Sequence, residues 1–232
     1  MSLLLIAAAV AATDIAAGLL FLHPKLANLL STKYTLAFAA GAMLTLAFVE
    51  LIPEANLAVN VWYLALGFGG FYVIDKVVTP RLDREKVTVT RTGMGFGSVL
   101  GMASDNITDG IAIAVGYLLR PELGILMTLA VVLHEIPQGI TSAAIMKNLR
   151  FKLRTIVTIL AVAGSMYVLG MSLSGFIPKE FFSIILAFVA GSFLYASSRF
   201  LITQTRNINF RFMALVLMGI ITMYVLESFI AA

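Results

Sequence analysis

The chain contains no cysteine, which excludes disulfides and thiolate metal ligands and leaves the redox compartment open. It has only two histidines, His23 and His134, so a site built from several imidazoles is excluded as well. Charge is scarce: 12% of residues are Asp, Glu, Lys or Arg and 60% are hydrophobic, with a mean hydropathy of +1.00. Soluble domains carry about a quarter charged residues. No polar stretch is long enough for a soluble domain, so function is expected within a lipid bilayer.

What the chain does have is a succession of apolar runs. A helix needs about 20 residues to cross the hydrocarbon. Eight such runs are read, over residues 2–22, 34–51, 57–77, 93–119, 123–146, 153–177, 181–202 and 210–229. They predict an all-α integral membrane protein of eight transmembrane helices, one transporter domain over residues 1–232. The first run lacks a basic leading region and carries Asp14, so it reads as a retained helix rather than a cleaved signal peptide.

The net charge of +4 reports topology. Lys25 and Lys33 join the first two runs. Lys76, Arg81, Arg84, Lys86 and Arg91 lie around the third connection, Lys147, Arg150, Lys152 and Arg154 around the fifth, and Arg206 and Arg211 around the seventh. The alternate connections hold only Arg120 and Lys179. Positive charge stays cytoplasmic, which places both termini outside the cytoplasm. Short loops without interleaved aromatics offer no nucleic-acid surface. Trp62 and Tyr63 read as interfacial anchors.

The chain also repeats itself. Ala37-Phe38-Ala39-Ala40-Gly41 resembles Ala187-Phe188-Val189-Ala190-Gly191, with Leu51-Ile52 in register with Leu201-Ile202. In the fourth and fifth runs, Asp105-Asn106-Ile107-Thr108-Asp109-Gly110 and His134-Glu135-Ile136-Pro137-Gln138-Gly139 match position by position, 29 residues apart. A 3+2+3 arrangement follows, with helices one to three repeated by six to eight in opposite orientation around four and five. Such inverted repeats are typical of secondary transporters, whose substrate site lies near the midplane on interrupted helices.

The two hexads carry the chemistry. Ionisable groups at membrane depth are costly and by default mark an ion site or pathway. Residues three or four apart share a helix face, so Asp105 and Asn106 stack on Asp109, and His134 and Glu135 on Gln138. Pro137 frees the carbonyl of Leu133, and Gly110 and Gly139 weaken their helices. Gly93, Gly97 and Gly101 continue the stripe of Asp105, and Thr141 and Ser142 continue that of the fifth run. One amide would serve as glue between helices. Three carboxylates in one place repel each other unless protons or a cation intervene, so metal or proton chemistry is expected. A membrane metalloprotease would need His-Glu-x-x-His; Gln138 stands at the last position, so no enzyme is expected.

These residues resemble the ZIP (Zrt- and Irt-like) family of divalent metal transporters. The family pattern is His-Asn-x-Pro-Glu-Gly in helix four and His-Glu-x-Pro-Glu-Gly in helix five. The fifth run matches closely, with Gln138 for the second Glu. The fourth keeps Asn106 and Gly110 but has Asp105, Thr108 and Asp109 for His, Pro and Glu. Glu50-Leu51-Ile52-Pro53-Glu54-Ala55 resembles the family's (His/Asp)-Leu-x-Pro-Glu-Ala stretch of helix two. The resemblance covers all eight helices. It implies outward termini at a cell (plasma) membrane, homodimers as the usual assembly, and a divalent ion (Zn²⁺, Fe²⁺ or Mn²⁺) as substrate with no organic cofactor. It also implies a binuclear site, with one metal near Asp105, Asp109, His134 and Gln138 and another near Asn106, Asp109, Glu135 and Gln138. The family's helix seven usually adds an acid, whereas here Ser198-Arg199-Phe200-Leu201-Ile202-Thr203-Gln204 has none. One tightly held metal is therefore expected. Arg199 reads either as lying near the second position or as pointing to the cytoplasmic interface.

Three outer or isolated acids remain. Asp14, midway along the first run, faces the pathway or serves helix packing. Glu50 and Glu54 either draw cations into the mouth or are solvated there. A proton-coupled carrier of another cation or solute, and a non-transporting metal sensor, are the alternatives to a metal carrier. Metal-stimulated uptake into liposomes separates them.

Overall fold

A computed structural model describes residues 3–22, 32–78, 91–148, 150–203 and 208–230. His23, Lys25, Arg81, Arg84, Lys86 and Arg206 lie outside the described residues, as do the side chains of Arg91 and Thr141. Eight long helices make up the described chain: α1 (Leu3–Leu22), α2 (residues 32–54), α3 (Leu57–Val78), α4 (Arg91–Leu119), α5 (Pro121–Asn148), α6 (Leu153–Leu173), α7 (Phe182–Thr203) and α8 (Phe210–Ile230). Their ends fall close to the ends of the apolar runs. Short 3₁₀ turns at Ser174–Phe176 and Lys179–Phe181 join α6 to α7, so the sixth run stops being α-helical earlier than expected. Two left-handed residues close helices, Asn56 (φ 48°) after α2 and Arg150 (φ 59°) after α5. Asn tolerates this conformation through its short polar side chain.

Seven of the eight are long and apolar enough to cross a bilayer; α4, which carries Asp105, Asn106 and Asp109, is the other. With backbone hydrogen bonds closed inside each helix, this is a multi-pass membrane protein. Its exposed apolar side chains, among them Trp62, Phe210 and Phe229, are suited to lipid.

The helices pack as two groups. In one, α1 lies on α5 and α6, α4 lies on α6, and α4 meets α5. In the other, α3 lies on α7, α8 lies on α2, and α2 meets α7. The groups join mainly through α2 against α5. The pairings within each group are unchanged when α1 is exchanged with α6, α2 with α7, α3 with α8 and α4 with α5.

The same exchange relates the closest helix crossings. A Cβ on Gly41 would lie 2.1 Å from the Val216 carbonyl oxygen, and one on Gly219 would lie 2.1 Å from that of Phe38. At the partner crossing, Gly67 stands 2.0 Å from the Phe188 oxygen and Gly191 2.0 Å from the Leu64 oxygen, measured the same way. Phe38 and Gly41 are the residues already matched in sequence to Phe188 and Gly191. Lipid tails give helices no hydrophobic reason to associate, so backbone approach through small residues supplies the packing.

Two features differ from expectation. The expected interruption of the central helices is not found: α4 and α5 are continuous, with Pro137 inside α5. The irregular segment lies instead in α2, where Leu46–Leu51 is π-helical and the Ile52 amide donates to the Ala47 carbonyl. Pro53 has no amide to give the Val49 carbonyl, which favours the wider turn before it.

The glycine crossings can be tested directly. Gly67→Ala and Gly219→Ala should each lower the thermal midpoint of the detergent-solubilised protein, since overpacking costs about 1–3 kcal/mol. Gly69→Ala and Gly70→Ala, where a Cβ meets nothing within 4 Å, should leave it unchanged or raise it. Equal effects at all four positions would contradict the packing described.

Candidate metal centre

The midpoint of α4 is Asp105, and that of α5 falls between His134 and Glu135. Both hexads therefore sit at mid-length of two packed helices. Asp105, Asp109, His134 and Glu135 bring one ligand atom each to within 4.8 Å of one another. Asp109, His134 and Glu135 are buried and Asp105 is half-buried. His134 Nε2 stands 3.1 Å from Asp109 Oδ2 and 3.1 Å from Glu135 Oε1.

The other imidazole nitrogen fixes the tautomer. Nδ1 lies 3.2 Å from the Ala130 carbonyl one turn back. A carbonyl only accepts, so this hydrogen bond assigns the proton to Nδ1 and leaves the Nε2 lone pair bare in the neutral ring. Three acceptor atoms then converge, and neither carboxylate oxygen has a hydrogen-bond partner. A backbone carbonyl holding the far nitrogen is the usual outer partner of a metal-ligating histidine. Phe193 of α7 packs edge-on against the ring, with centroids 5.7 Å apart, and limits its rotation.

Asn106 is buried and donates from Nδ2 to the Ala163 carbonyl of α6 at 2.9 Å, so its Oδ1 is the free end. Gln138 is half-buried, within reach of the Asp105 carboxylate. The glycine after each hexad admits a neighbouring backbone. A Cβ on Gly110 would meet the Tyr167 carbonyl oxygen of α6 at 2.6 Å, and one on Gly139 the Asp14 carbonyl oxygen of α1 at 2.5 Å. Asp14 and Tyr167 thus hold equivalent places, and both are fully buried. Sequence reasoning did not single out Tyr167 or Phe193. The equivalence of Tyr167 and Asp14 comes from these two glycine contacts, and the sequence carried no signal for it.

Among the described residues, seven buried side-chain oxygens have no hydrogen-bond partner: both of Asp14, Asn106 Oδ1, Asp109 Oδ2, both of Glu135 and the Tyr167 hydroxyl. All seven belong to α1, α4, α5 and α6. More than about nine in ten buried polar groups are ordinarily satisfied, so their concentration here has a local cause. Carboxylates, an amide oxygen and one imidazole form a donor set that suits a divalent cation.

The remaining acids lie elsewhere. Glu50 and Glu54 both bind Arg120: the guanidinium Nη2 contacts Glu50 Oε2, and Nε donates to Glu54 Oε1 at 3.1 Å. Glu50 is 4% exposed, so it is neither solvated nor free to draw ions. Ser142 is half-buried on α5. Arg199 pairs with Asp75 Oδ1 of α3 at 2.8 Å, and the Tyr195 hydroxyl donates to Asp75 Oδ2 at 2.7 Å. Its side chain is 41% exposed, in keeping with the interfacial alternative.

Residues 79–227 match the family model described as ZIP Zinc transporter. Zinc transporter ZIP13 of Pongo abelii is 27% identical over 190 residues, covering 70% of this chain and 55% of that protein. Zinc transporter ZIP13 of Bos taurus is 25% identical over 169 residues, 51% of this chain and 40% of the relative. Zinc transporter YKE4 of Saccharomyces cerevisiae is 26% identical over 172 residues, 62% and 49%. The chain spans about half the length of the curated relatives it matches.

Binding to this centre should depend on His134 and Asp109. His134→Ala and Asp109→Ala should each weaken Zn²⁺ binding by the purified protein at least about tenfold, measured by competition with a chromophoric chelator. Protons compete with metal for Nε2 and the carboxylates, so affinity should fall from about pH 7.5 to about pH 5. Affinity that is flat across that range and unchanged in both variants would remove these residues from the ligand set.

Proposed function

The chain belongs to the ZIP zinc transporter family, and from that premise we propose that it carries a divalent transition-metal cation across a membrane towards the cytoplasm. The observation that carries this reading is the convergence of Asp105, Asp109, His134 and Glu135 within 4.8 Å at mid-length of α4 and α5. All eight helices span the bilayer in a 3+2+3 inverted repeat, a reading supported by the exchange symmetry of the packing and the matched glycine crossings. The site then sits at the midplane, where inverted-repeat carriers hold their substrate.

The work of the site is to replace an ion's water shell at a depth where water is scarce. Two or three carboxylates supply opposing charge, and His134 supplies one nitrogen donor that does not add to it. One imidazole among oxygens admits Zn²⁺, Fe²⁺ and Mn²⁺, and zinc is the metal named for the relatives. Asn106 and Gln138 complete the coordination without further charge. Every proposed ligand belongs to the group of α1, α4, α5 and α6, so movement of this group against α2, α3, α7 and α8 would expose the ion to alternate sides. The Lys and Arg bias of the odd-numbered connections supports termini outside the cytoplasm, and a plasma membrane is the setting proposed with it.

Reconstitution tests the proposal. Liposomes containing the protein should take up Zn²⁺, Fe²⁺ or Mn²⁺ above protein-free vesicles, and Asp109→Ala should reduce that uptake to background while inserting normally. Background uptake by the unaltered protein for all three ions, with metal still bound in detergent, would leave a sensor in place of a carrier.

A further inference from the structure

We infer that Arg120, with Glu50 and Glu54, is an ionic latch that holds the ion-binding helices against α2 and must break in each transport cycle. The latch rests on the carrier reading, in which α1, α4, α5 and α6 move against α2, α3, α7 and α8. It is the contact that controls that movement at one end of the bundle.

Arg120 is built rigidly into the first group. It is the single residue between α4 and α5. Its amide donates to the Gly116 carbonyl at 2.9 Å, and its carbonyl accepts from the Gly124 amide at 3.2 Å. The corner is tightly packed: a Cβ on Gly124 would lie 2.3 Å from the Tyr117 ring, and one on Gly116 would lie 3.1 Å from Gly124 Cα. The guanidinium therefore travels with the two helices that carry Asp109 and His134. Arg120 lies about 16 Å beyond Asp109 along α4, at about 1.5 Å per residue, so it acts at a distance from the ligand cluster.

The two acids are fixed in the second group. Glu50, in the π-helical turn, and Glu54 beyond it reach the same guanidinium from α2. Just past them, Asn60 of α3 donates from Nδ2 to the Ala55 carbonyl at 2.9 Å and to the Ser183 hydroxyl of α7 at 3.2 Å. That amide ties the end of α2 to α3 and α7. The carboxylates thus belong to a body of three helices, and the guanidinium spans the divide.

Burial decides which half of the contact matters. The Arg120 and Glu54 side chains are 35% and 37% exposed, whereas that of Glu50 is 5% exposed. An exposed ion pair contributes little, but a buried carboxylate that loses its partner is left uncompensated. Arg120 is the counter-charge of Glu50; the other charged groups that act on Glu50, Glu227 of α8 and Glu54, are acids. Separation of the groups at this end must therefore admit water to Glu50 as Arg120 leaves. Loss of the guanidinium removes that barrier and shifts the population towards the form open at this end.

Hydrogen–deuterium exchange of the purified full chain reads the latch independently of transport. Arg120→Gln should raise exchange on both sides of the contact, in residues 46–55 and 121–128, and lower it at the far end of α5, in residues 140–147, as that end closes. Arg120→Lys, which keeps the charge, should fall between the parent and Arg120→Gln. Should Arg120→Gln not fold, Glu54→Gln should shift the same segments in the same directions by less. An unchanged pattern, or a rise confined to the contact as in local fraying, would overturn the latch. Because the chain has no cysteine, Arg120→Cys with Glu54→Cys gives one pair for a short bis-maleimide. Cross-linking that pair in liposomes should reduce Zn²⁺ uptake to background, while each single-cysteine chain treated alike keeps uptake and the cross-linked protein still binds Zn²⁺ in detergent. Uptake that survives cross-linking would overturn the latch. Absence of uptake by the unaltered chain would instead remove the carrier reading, with exchange still showing whether Arg120 holds the two groups together.

Discussion

Carboxylates that pair with no described lysine or arginine occupy the middle of the bundle formed by α1, α4, α5 and α6. Asp14 and Glu135 are fully enclosed, Asp109 nearly so, and their outward oxygens lack partners among the described residues. An ionised carboxylate away from water is expensive unless it is paired or coordinates a metal. Neighbouring features serve that constraint. The His134 ring is held by the Ala130 carbonyl with Nε2 turned to the acids, Asn106 is tethered to α6, and Gly110 and Gly139 let α6 and α1 close over the site. A bound cation would supply the charge that these side chains leave unbalanced.

The second group of helices carries its ionic contacts differently. Arg199, Asp75 and Tyr195 tie α7 to α3, and the paired glycine crossings bring α2 against α8 and α3 against α7. These contacts are satisfied within the group. The described ion pair that leaves it is Arg120, between α4 and α5, with Glu50 and Glu54 of α2. The π-helical turn ahead of Pro53 shifts the register of α2 where these two acids lie. Among the described residues, Arg120 with Glu50 and Glu54 forms ion pairs between the two groups, beside apolar packing of α2 on α5.

The helices were legible because a long apolar run has few alternatives in a bilayer, and the hexads because six polar side chains stand out against such a background. The match of Phe38-x-x-Gly41 to Phe188-x-x-Gly191 fell on residues that lie at the close crossings of α2 with α8 and of α7 with α3. Contacts between distant positions were not legible. Arg199 had two readings because its partner, Asp75, lies on α3, and Glu50 and Glu54 read as free because Arg120 is some 70 residues away. Tyr167 gave no signal by itself, since one tyrosine in an apolar helix is ordinary. The π-helical turn was foreshadowed by Pro53, but a proline near a helix end also fits a regular terminus.

The proposed carrier requires a metal bound by His134 Nε2 between α4 and α5. Crystals soaked in Zn²⁺ and measured at the zinc absorption edge locate it without reference to activity. An anomalous peak is expected at about 2.0–2.1 Å from His134 Nε2, with carboxylate oxygens of Asp109 and Glu135 in the same coordination sphere. Zinc found solely on surface acids such as Glu122 or Glu180, with the space between the two hexads free of anomalous density, would contradict it.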